Sequence, residues 1–172
     1  MTFTKTIKST LAALALSTAM LSANSAMAAG HEAASCSTVR FSDVGWTDIT
    51  ATTAATTFLL KALGYETDIK VLSVPVTYQS LANNDIDVFL GNWMPTMEAD
   101  IKPYLEKGTV ETIKANLEGA KYTLAVPKSV FDAGVKSFAD IAKHADKFKS
   151  KIYGIEPGND GNRLIQDMID QN

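Results

Sequence analysis

The sequence predicts an α/β fold built on a mostly parallel sheet. Short apolar runs alternate with amphipathic stretches from Val39 onward, an order that covers both faces of parallel strands with helices. In residues 38–46 and 86–95, an apolar run leads into a glycine-containing turn and then a tryptophan, Trp46 or Trp93. Open α/β sheets bind ligands in the crevice beyond their strand ends, so these two junctions predict a pocket.

Residues 1–28 have the features of a signal peptide. Two lysines form a positive n-region, residues 11–21 form an apolar h-region, and Ala26-Met27-Ala28 fits a small-x-small cleavage site. A transmembrane anchor is the alternative, but the apolar segment is about half of the ~20 residues that a span needs. We therefore predict cleavage after Ala28, export to the periplasm and a soluble mature chain.

The mature part, residues 29–172, is mildly acidic. Two of the 16 basic residues lie in the signal peptide, which leaves 14 against 19 acidic residues. Nucleic-acid binding needs clustered Lys and Arg, so this balance argues against a nucleic-acid partner and is compatible with a small cation. His31 and His144 lack metal-ligand spacing, and no serine or cysteine is paired with a base. We therefore predict no metal, no cofactor and no enzymatic activity.

The first predicted unit, residues 29–118, opens with a strand near Val39 and a helix after Trp46. Several N-cap candidates follow Trp46, and Gly64 fits the C′ position that ends a helix. Between them, apolar side chains recur at the spacing of one helical face. These positions are Ala55, Phe58, Leu59, Ala62 and Leu63.

Proline and turn residues separate the other elements of this unit. In chain order we predict a strand over residues 69–74, a short helix over 78–83, a strand over 86–90, a helix over 96–105 and a strand over 110–113. Pro75 ends the first of these strands, and Thr96 caps the longer helix. Pro103 kinks or splits that helix, because proline removes a backbone donor.

The second unit, residues 119–172, repeats the alternation over a shorter length. We predict a strand over residues 122–126, a helix over 138–148, a strand over 152–155 and a final helix with Leu164, Ile165, Met168 and Ile169 on one face. The final helix reaches Asn172 without a C-cap, and parallel strands need flanking partners. We therefore expect the chain to be the N-terminal portion of a longer protein, with its second lobe incomplete.

Cys36 is the only cysteine of the chain. In an oxidising compartment an odd cysteine predicts a disulfide partner elsewhere, here outside this portion of the protein. A free buried thiol is the alternative.

Three aromatic residues lie at predicted strand ends: Trp46, Trp93 and Tyr122. An N-methylated cation has no N–H to donate, but the negative faces of aromatic rings attract it, at ~0.5–2 kcal/mol for each ring. The three residues therefore predict a cage for a quaternary ammonium. The alternative is that each aromatic is a core or hinge residue.

Two polar residues accompany these aromatics. Asp48 lies two positions after Trp46 and is a candidate carboxylate for a ligand hydroxyl, or alternatively a helix N-cap. Asn159 lies in a glycine-rich turn and is a candidate contact to the ligand's other end, or alternatively a turn former. The turn lacks the lysine and hydroxyl of a P-loop, which excludes a nucleotide site.

Several separated motifs carry a resemblance to a known family: Trp46 with Asp48, GNWMPTME, KYTLAVP and IEPGNDGNRL. Together they resemble the exported substrate-binding proteins of ABC transporters for quaternary ammonium compounds, the glycine betaine/choline family, and its choline-binding members above all. The resemblance extends over essentially the whole mature chain. It implies the type II periplasmic-binding-protein architecture, in which two α/β lobes with mostly parallel sheets close over ligand by a hinge motion. Family members are nearly twice the length of this mature chain.

The resemblance also implies roles for single residues. Trp46, Trp93 and Tyr122 match three walls of the family's aromatic box around the choline ammonium, and Asp48 and Asn159 match its hydroxyl end. The family's fourth aromatic wall has no counterpart in this chain.

The ligand expected from these residues is choline. The carboxylate of Asp48 would accept a hydrogen bond from the choline hydroxyl and repel the carboxylate of glycine betaine. The expected mechanism is capture by a monomer and delivery to an inner-membrane ABC permease. Binding of glycine betaine or another quaternary ammonium is the alternative. Two functions of other classes also remain open, an exported enzyme acting on a choline ester and a chaperone-like envelope protein whose aromatics belong to its core.

Overall fold

The computed structural model describes residues 36–171, and the predicted signal peptide with its cleavage site lies outside them. The elements below belong to one unit of the chain, residues 38–172. Cys36 is exposed at the surface, and its disulfide pairing stays a prediction. Among the described residues, no helix is both long enough and apolar enough to cross a bilayer.

The sheet of the described residues has three parallel strands, β1 (Thr38–Asp43), β2 (Glu66–Val71) and β3 (Val88–Phe89), in the order β2-β1-β3. The central strand is the most buried, since Phe41 and Ser42 are almost inaccessible to solvent. Phe41 pairs with Ile69 on one side and with Val88 on the other. The predicted α/β fold with a parallel sheet is confirmed.

The described part of the chain has six helices: α1 (Thr47–Ala62), α2 (Val74–Ala82), α3 (Glu98–Glu106), α4 (Lys128–Asp132), α5 (Phe138–Lys143) and α6 (Asp160–Asp170). The sequence did not predict α4. The predicted helix over residues 138–148 ends early, at Lys143, because the backbone of His144 (φ −121°, ψ 21°) leaves the helical conformation.

Helix α1 turns a different face inward from its apolar one. Its buried residues are Ile49, Thr53 and Thr57, whereas Phe58 and Leu59 of the predicted apolar face are 73% and 62% exposed. At 3.6 residues per turn, the two faces lie on nearly opposite sides of the helix. The apolar periodicity therefore identified the helix correctly but not the face that packs in this structure.

The boundaries of α2 and α3 follow from local chemistry. Val74 starts α2 instead of ending β2, because Pro75 suits the first turn of a helix, where no N–H is needed. Helix α3 starts after Met97, and the hydroxyl of Thr96 donates to the carbonyl of Trp93 instead of capping it. Pro103 lies inside α3 without ending it.

The core between α2 and α3 supports the predicted site. Its fully buried members are Val74, Tyr78, Met97 and Ile101, and Trp46 and Trp93 pack against it as partly buried side chains. The two strand-end tryptophans therefore pack against the same apolar cluster.

Three predicted strands, over residues 110–113, 122–126 and 152–155, are absent from the structure. For the last of them the reason is local. The side chain of Asn162 accepts from the N–H of Ile155 at 2.9 Å and donates to its carbonyl at 3.2 Å. Both backbone groups of Ile155 are thus satisfied by a side chain from α6 and not by a neighbouring strand. The lobe boundary near residue 118 stays a prediction.

Candidate ligand-binding site

Trp46 is placed by the turn that joins β1 to α1. The buried carboxylate of Asp43 accepts a hydrogen bond of 2.8 Å from the N–H of Gly45, whose φ of +81° few other residues adopt. Trp46 then occupies the N-cap position of α1 in extended conformation. Its indole Nε1 donates a hydrogen bond of 2.9 Å to Oε1 of Glu156, 110 positions further along the chain.

Trp93 is held by the loop that follows β3. The buried Tyr78 hydroxyl donates to the side chain of Asn92 at 2.7 Å, and the Trp93 N–H donates to the sulfur of Met97 at 3.1 Å. The centroids of the Trp93 and Tyr122 rings are 5.9 Å apart, with 40° between the ring planes. This spacing and tilt fall within the range of favourable aromatic pairs.

A tight turn brings Glu156 next to Asn159. Pro157 and Gly158 form its central positions, Gly158 has a φ of +84°, and the N–H of Asn159 donates to the carbonyl of Glu156 at 3.3 Å. Proline followed by a glycine of positive φ is the signature of a type II turn. A Cβ on Gly158 would lie 2.9 Å from Cγ of Pro75, so the turn also packs closely against α2.

Asn159 lies in the predicted turn, and its contact to a ligand stays a prediction. It is the N-cap of α6, because its Oδ1 accepts from the N–H of Gly161 at 2.8 Å. The same Oδ1 accepts from the hydroxyl of Tyr122 at 3.2 Å, and its Nδ2 donates to Oε1 of Glu156 at 2.9 Å. Asn159 is only 4% exposed, so these contacts are shielded from water.

These contacts join four of the five predicted site residues into one connected group. Trp46 and Asn159 both donate to Glu156, Asn159 accepts from Tyr122, and Tyr122 lies beside Trp93.

Asp48 stands apart from this group. It lies in the first turn of α1, where the N-cap is Trp46, so the capping alternative for Asp48 is wrong. A negative charge there still interacts favourably with the helix dipole. Asp48 is exposed and lines a cavity of about 510 Å³ together with Trp93 and Tyr122. Trp46 and Asn159 are not among the residues that line this cavity.

Two acidic residues of the site were not predicted, Glu156 and Asp160. Burial raises the pKa of Glu156, but hydrogen bonds from Asn159 and Trp46 outweigh it and leave the pKa below its ordinary value. Asp160 is 2% exposed, and its Oδ2 has no hydrogen-bond partner within residues 36–171. The EPGND motif contains both residues, and its Pro-Gly pair was the signal that would have brought Glu156 next to Asn159.

The pKa of the Tyr122 hydroxyl lies above its ordinary value. Burial raises its pKa, and the negative charges of Asp160 and Glu156 raise it further. The site therefore combines aromatic rings with a negative local potential, a combination that suits a cation lacking N–H donors. Residues 36–171 contain no group of three His, Cys, Asp or Glu side chains able to hold a metal ion.

Comparison with known proteins identifies relatives of this chain. It is 61% identical over 132 residues to "Uncharacterized protein ORF1" of Chromohalobacter salexigens, a match that covers 77% of this chain and 85% of the relative. It is 31% identical over 104 residues to "Glycine betaine/carnitine transport binding protein GbuC" of Listeria monocytogenes serotype 1/2a, over 60% of this chain and 33% of the relative.

Two solved structures are more informative. One is described as "ABC-transporter choline binding protein in complex with choline", with a TM-score of 0.75, 71% identity, and coverage of 80% of this chain and 47% of the other. The second is described as "ABC-transporter choline binding protein in unliganded semi-closed conformation". It has a TM-score of 0.71 and 71% identity, with coverage of 80% of this chain and 48% of the other. The chain therefore spans about half the length of these two proteins.

The named relatives are substrate-binding proteins and not enzymes, which confirms the prediction that the chain is not an enzyme. Their similarity also confirms the periplasmic-binding-protein fold. The family model described as the substrate binding domain of the ABC-type glycine betaine transport system matches residues 37–172, which is most of the chain. The chain therefore belongs to this family of ABC-transporter substrate-binding domains.

Proposed function

We propose that this chain binds choline through an aromatic cation–π site formed by Trp46, Trp93 and Tyr122. The observation that carries the proposal is the proximity of these residues. The rings of Trp93 and Tyr122 are 5.9 Å apart, and Trp46 is connected to Tyr122 through hydrogen bonds to Glu156 and Asn159. Residues far apart in sequence are thus joined beside a cavity that Trp93 and Tyr122 line.

The chemistry of a quaternary ammonium fits this arrangement. Its charge is spread over methyl groups, so it gains from ring faces and from nearby negative charge without needing a hydrogen-bond acceptor. The aromatic residues supply the ring faces, and the carboxylates of Asp48, Glu156 and Asp160 supply the negative charge. The 71% identical protein whose structure contains choline supports the same ligand class for this chain.

Choline is favoured over glycine betaine by the position of Asp48. Its exposed carboxylate lines the same cavity as Trp93 and Tyr122. The choline hydroxyl can donate to a carboxylate, whereas the carboxylate of betaine would be repelled by it. Glycine betaine is the second candidate, because the matching family is described by that ligand and one curated relative is described by betaine and carnitine.

The wider role follows from the family. We propose export to the periplasm after cleavage at Ala28, a monomer of two lobes divided near residue 118, and delivery of the ligand to an inner-membrane ABC permease. Cys36 would pair with a cysteine outside residues 1–172. The hinge closure implied by the family would make the liganded form the one that the permease accepts.

Titration calorimetry of the chain with choline, acetylcholine, glycine betaine and carnitine tests this proposal. We expect choline to bind most tightly, with glycine betaine at least tenfold weaker. A chain that binds none of the four ligands, or that binds betaine as tightly as choline, would contradict it.

A further inference from the structure

We propose that Glu156 is a positioning residue of this site: it orients the indole of Trp46 and the amide of Asn159 by accepting a hydrogen bond from each. The inference rests on the proposed function, because the residues that Glu156 holds are those assigned to the ligand.

At Glu156 a single carboxylate oxygen accepts from two donors. Trp46 Nε1 and Asn159 Nδ2 each lie 2.9 Å from Oε1 of Glu156. An indole has one N–H and no acceptor, so its orientation about the side-chain bonds is fixed only by packing and by this one contact. Of the two, the hydrogen bond is the directional one.

The backbone carbonyl of Glu156 accepts two hydrogen bonds. The type II turn holds its carbonyl against the N–H of Asn159, and Nδ2 of Asn162 donates to the same carbonyl at 3.0 Å. Glu156 is therefore attached to the first turn of α6, whereas Trp46 belongs to the start of α1. Their contact fixes the indole of one segment relative to the N-terminus of a helix far along the chain.

The second hydrogen bond extends the effect to Tyr122. Because Nδ2 of Asn159 is engaged by Glu156, Oδ1 of the same amide must face the N–H of Gly161 and the hydroxyl of Tyr122. With Glu156 absent, the orientation of this amide would depend on the N–H of Gly161 alone. Glu156 thus reinforces the orientation in which Oδ1 meets the Tyr122 hydroxyl.

Two substitutions distinguish a positioning role of Glu156 from attraction between its charge and the ligand. Glu156→Gln keeps an oxygen that can accept both hydrogen bonds but removes the negative charge, while Glu156→Ala removes both. We expect Glu156→Gln to bind choline within about threefold of the parent chain and Glu156→Ala to bind at least tenfold more weakly. Glu106→Ala, which removes an exposed carboxylate of α3, is the matched control and should bind as the parent does.

Two results of the calorimetry would overturn the proposal. Equal losses in Glu156→Gln and Glu156→Ala would show that charge and not position is required, and unchanged binding in Glu156→Ala would show that the residue is a bystander. Thermal unfolding followed by circular dichroism confirms that each variant is folded. Should Glu156→Ala fail to fold, Glu156→Asp, whose carboxylate is one methylene shorter and lies further from both donors, takes its place with the same expectation.

A readout without ligand separates this inference from the proposed function. The chain has two tryptophans, so its NMR spectrum has two indole N–H signals, which Trp93→Phe assigns. We expect the Trp46 N–H to exchange slowly with solvent in the parent and in Glu156→Gln, and rapidly in Glu156→Ala. Rapid exchange in the parent would refute the contact, whereas slow exchange in a chain that binds no quaternary ammonium would refute only the proposed function.

Discussion

The Tyr122 hydroxyl donates a hydrogen bond of 3.2 Å to Oδ1 of Asn159, the residue that caps α6. The ring of the same tyrosine lies 5.9 Å from the ring of Trp93. Tyr122 thus connects the aromatic part of the candidate site to its polar part. Substitutions at this position can remove the ring, or the hydroxyl alone.

The first prediction concerns the aromatic walls. Trp93→Ala and Tyr122→Ala should each weaken choline binding at least tenfold, which is about 1.4 kcal/mol, because each removes one ring from the cation. Tyr122→Phe keeps the ring and should lose less than Tyr122→Ala. Titration calorimetry measures all three, and Phe131→Ala, a half-exposed aromatic that packs beside Lys136, is the control. Unchanged affinity in both alanine variants would remove the aromatic site from consideration.

The second prediction concerns specificity. Asp48→Asn keeps the size of the side chain and removes the charge, so choline should bind several-fold more weakly and glycine betaine more tightly. The ratio of the two dissociation constants, measured by calorimetry, should fall. Asp68→Asn, which removes an exposed carboxylate from β2, serves as the control for net charge. A ratio that does not change would mean that Asp48 does not select between the ligands.

The third prediction concerns the turn that carries Glu156 and Asn159. Gly158→Ala must adopt a positive φ and place a Cβ 2.9 Å from Pro75, whereas Gly108→Ala meets a positive φ alone, with open space around it. We expect Gly108→Ala to cost about 1 kcal/mol of unfolding free energy and Gly158→Ala about 1–2 kcal/mol more. Urea unfolding measures both. Equal costs would mean that the approach to α2 is not tight.

The fourth prediction concerns alkaline pH. Burial, then the charges of Asp160 and Glu156, raises the pKa of Tyr122. A tyrosine whose pKa is higher in the folded state stabilises the fold fully below the unfolded pKa of ~10 and loses this contribution as pH rises through the folded value. Asp160→Asn should lower the pKa of Tyr122 toward its ordinary value and shift this loss to lower pH.

Carbon NMR of the hydroxyl-bearing ring carbon of Tyr122 follows its titration in both proteins. The same Asp68→Asn control should leave the titration unchanged. A curve that is identical in Asp160→Asn and the parent would exclude Asp160 as a cause of the raised pKa.

The fifth prediction concerns the ion pair between α6 and α3. Arg163 donates to the carboxylate of Asp100 at 2.9 Å and to the carbonyl of Thr96 at 3.4 Å. Both charged groups are partly exposed, so a double-mutant cycle with Arg163→Met and Asp100→Asn should give a coupling of about 0.5–1 kcal/mol that weakens with salt. Urea unfolding supplies the four stabilities. The exposed pair of Lys128 and Asp132 is the control and should give a smaller coupling.

The sequence predicted those parts of the fold that local signals determine. Gly64 and Pro75 marked the ends of elements close to where the structure has them, and the alternation of strands and helices predicted the parallel sheet. The prediction of a strand over residues 152–155 was wrong because the side chain of Asn162 forms the backbone hydrogen bonds of Ile155. The apolar pattern of residues 152–155 contains no sign of this contact. The inward face of α1 was missed because its buried row contains two threonines.

The same limit applies to the site. Trp46, Trp93, Tyr122 and Asn159 were proposed from residue type and position, and the structure brings them into one connected group. Glu156 was not predicted, although the Pro157-Gly158 turn indicates its contact to Asn159. Its second contact, to an indole 110 positions earlier, is not visible in local sequence.

The turn from Glu156 to Asn159 has a consequence for how this protein can change over time. Two side chains that meet in space are separated by only Pro157 and Gly158, so inserting or deleting one amino acid there would disconnect both from Trp46 and Tyr122 in a single step. Length variation among descendants should therefore be purged from the turn.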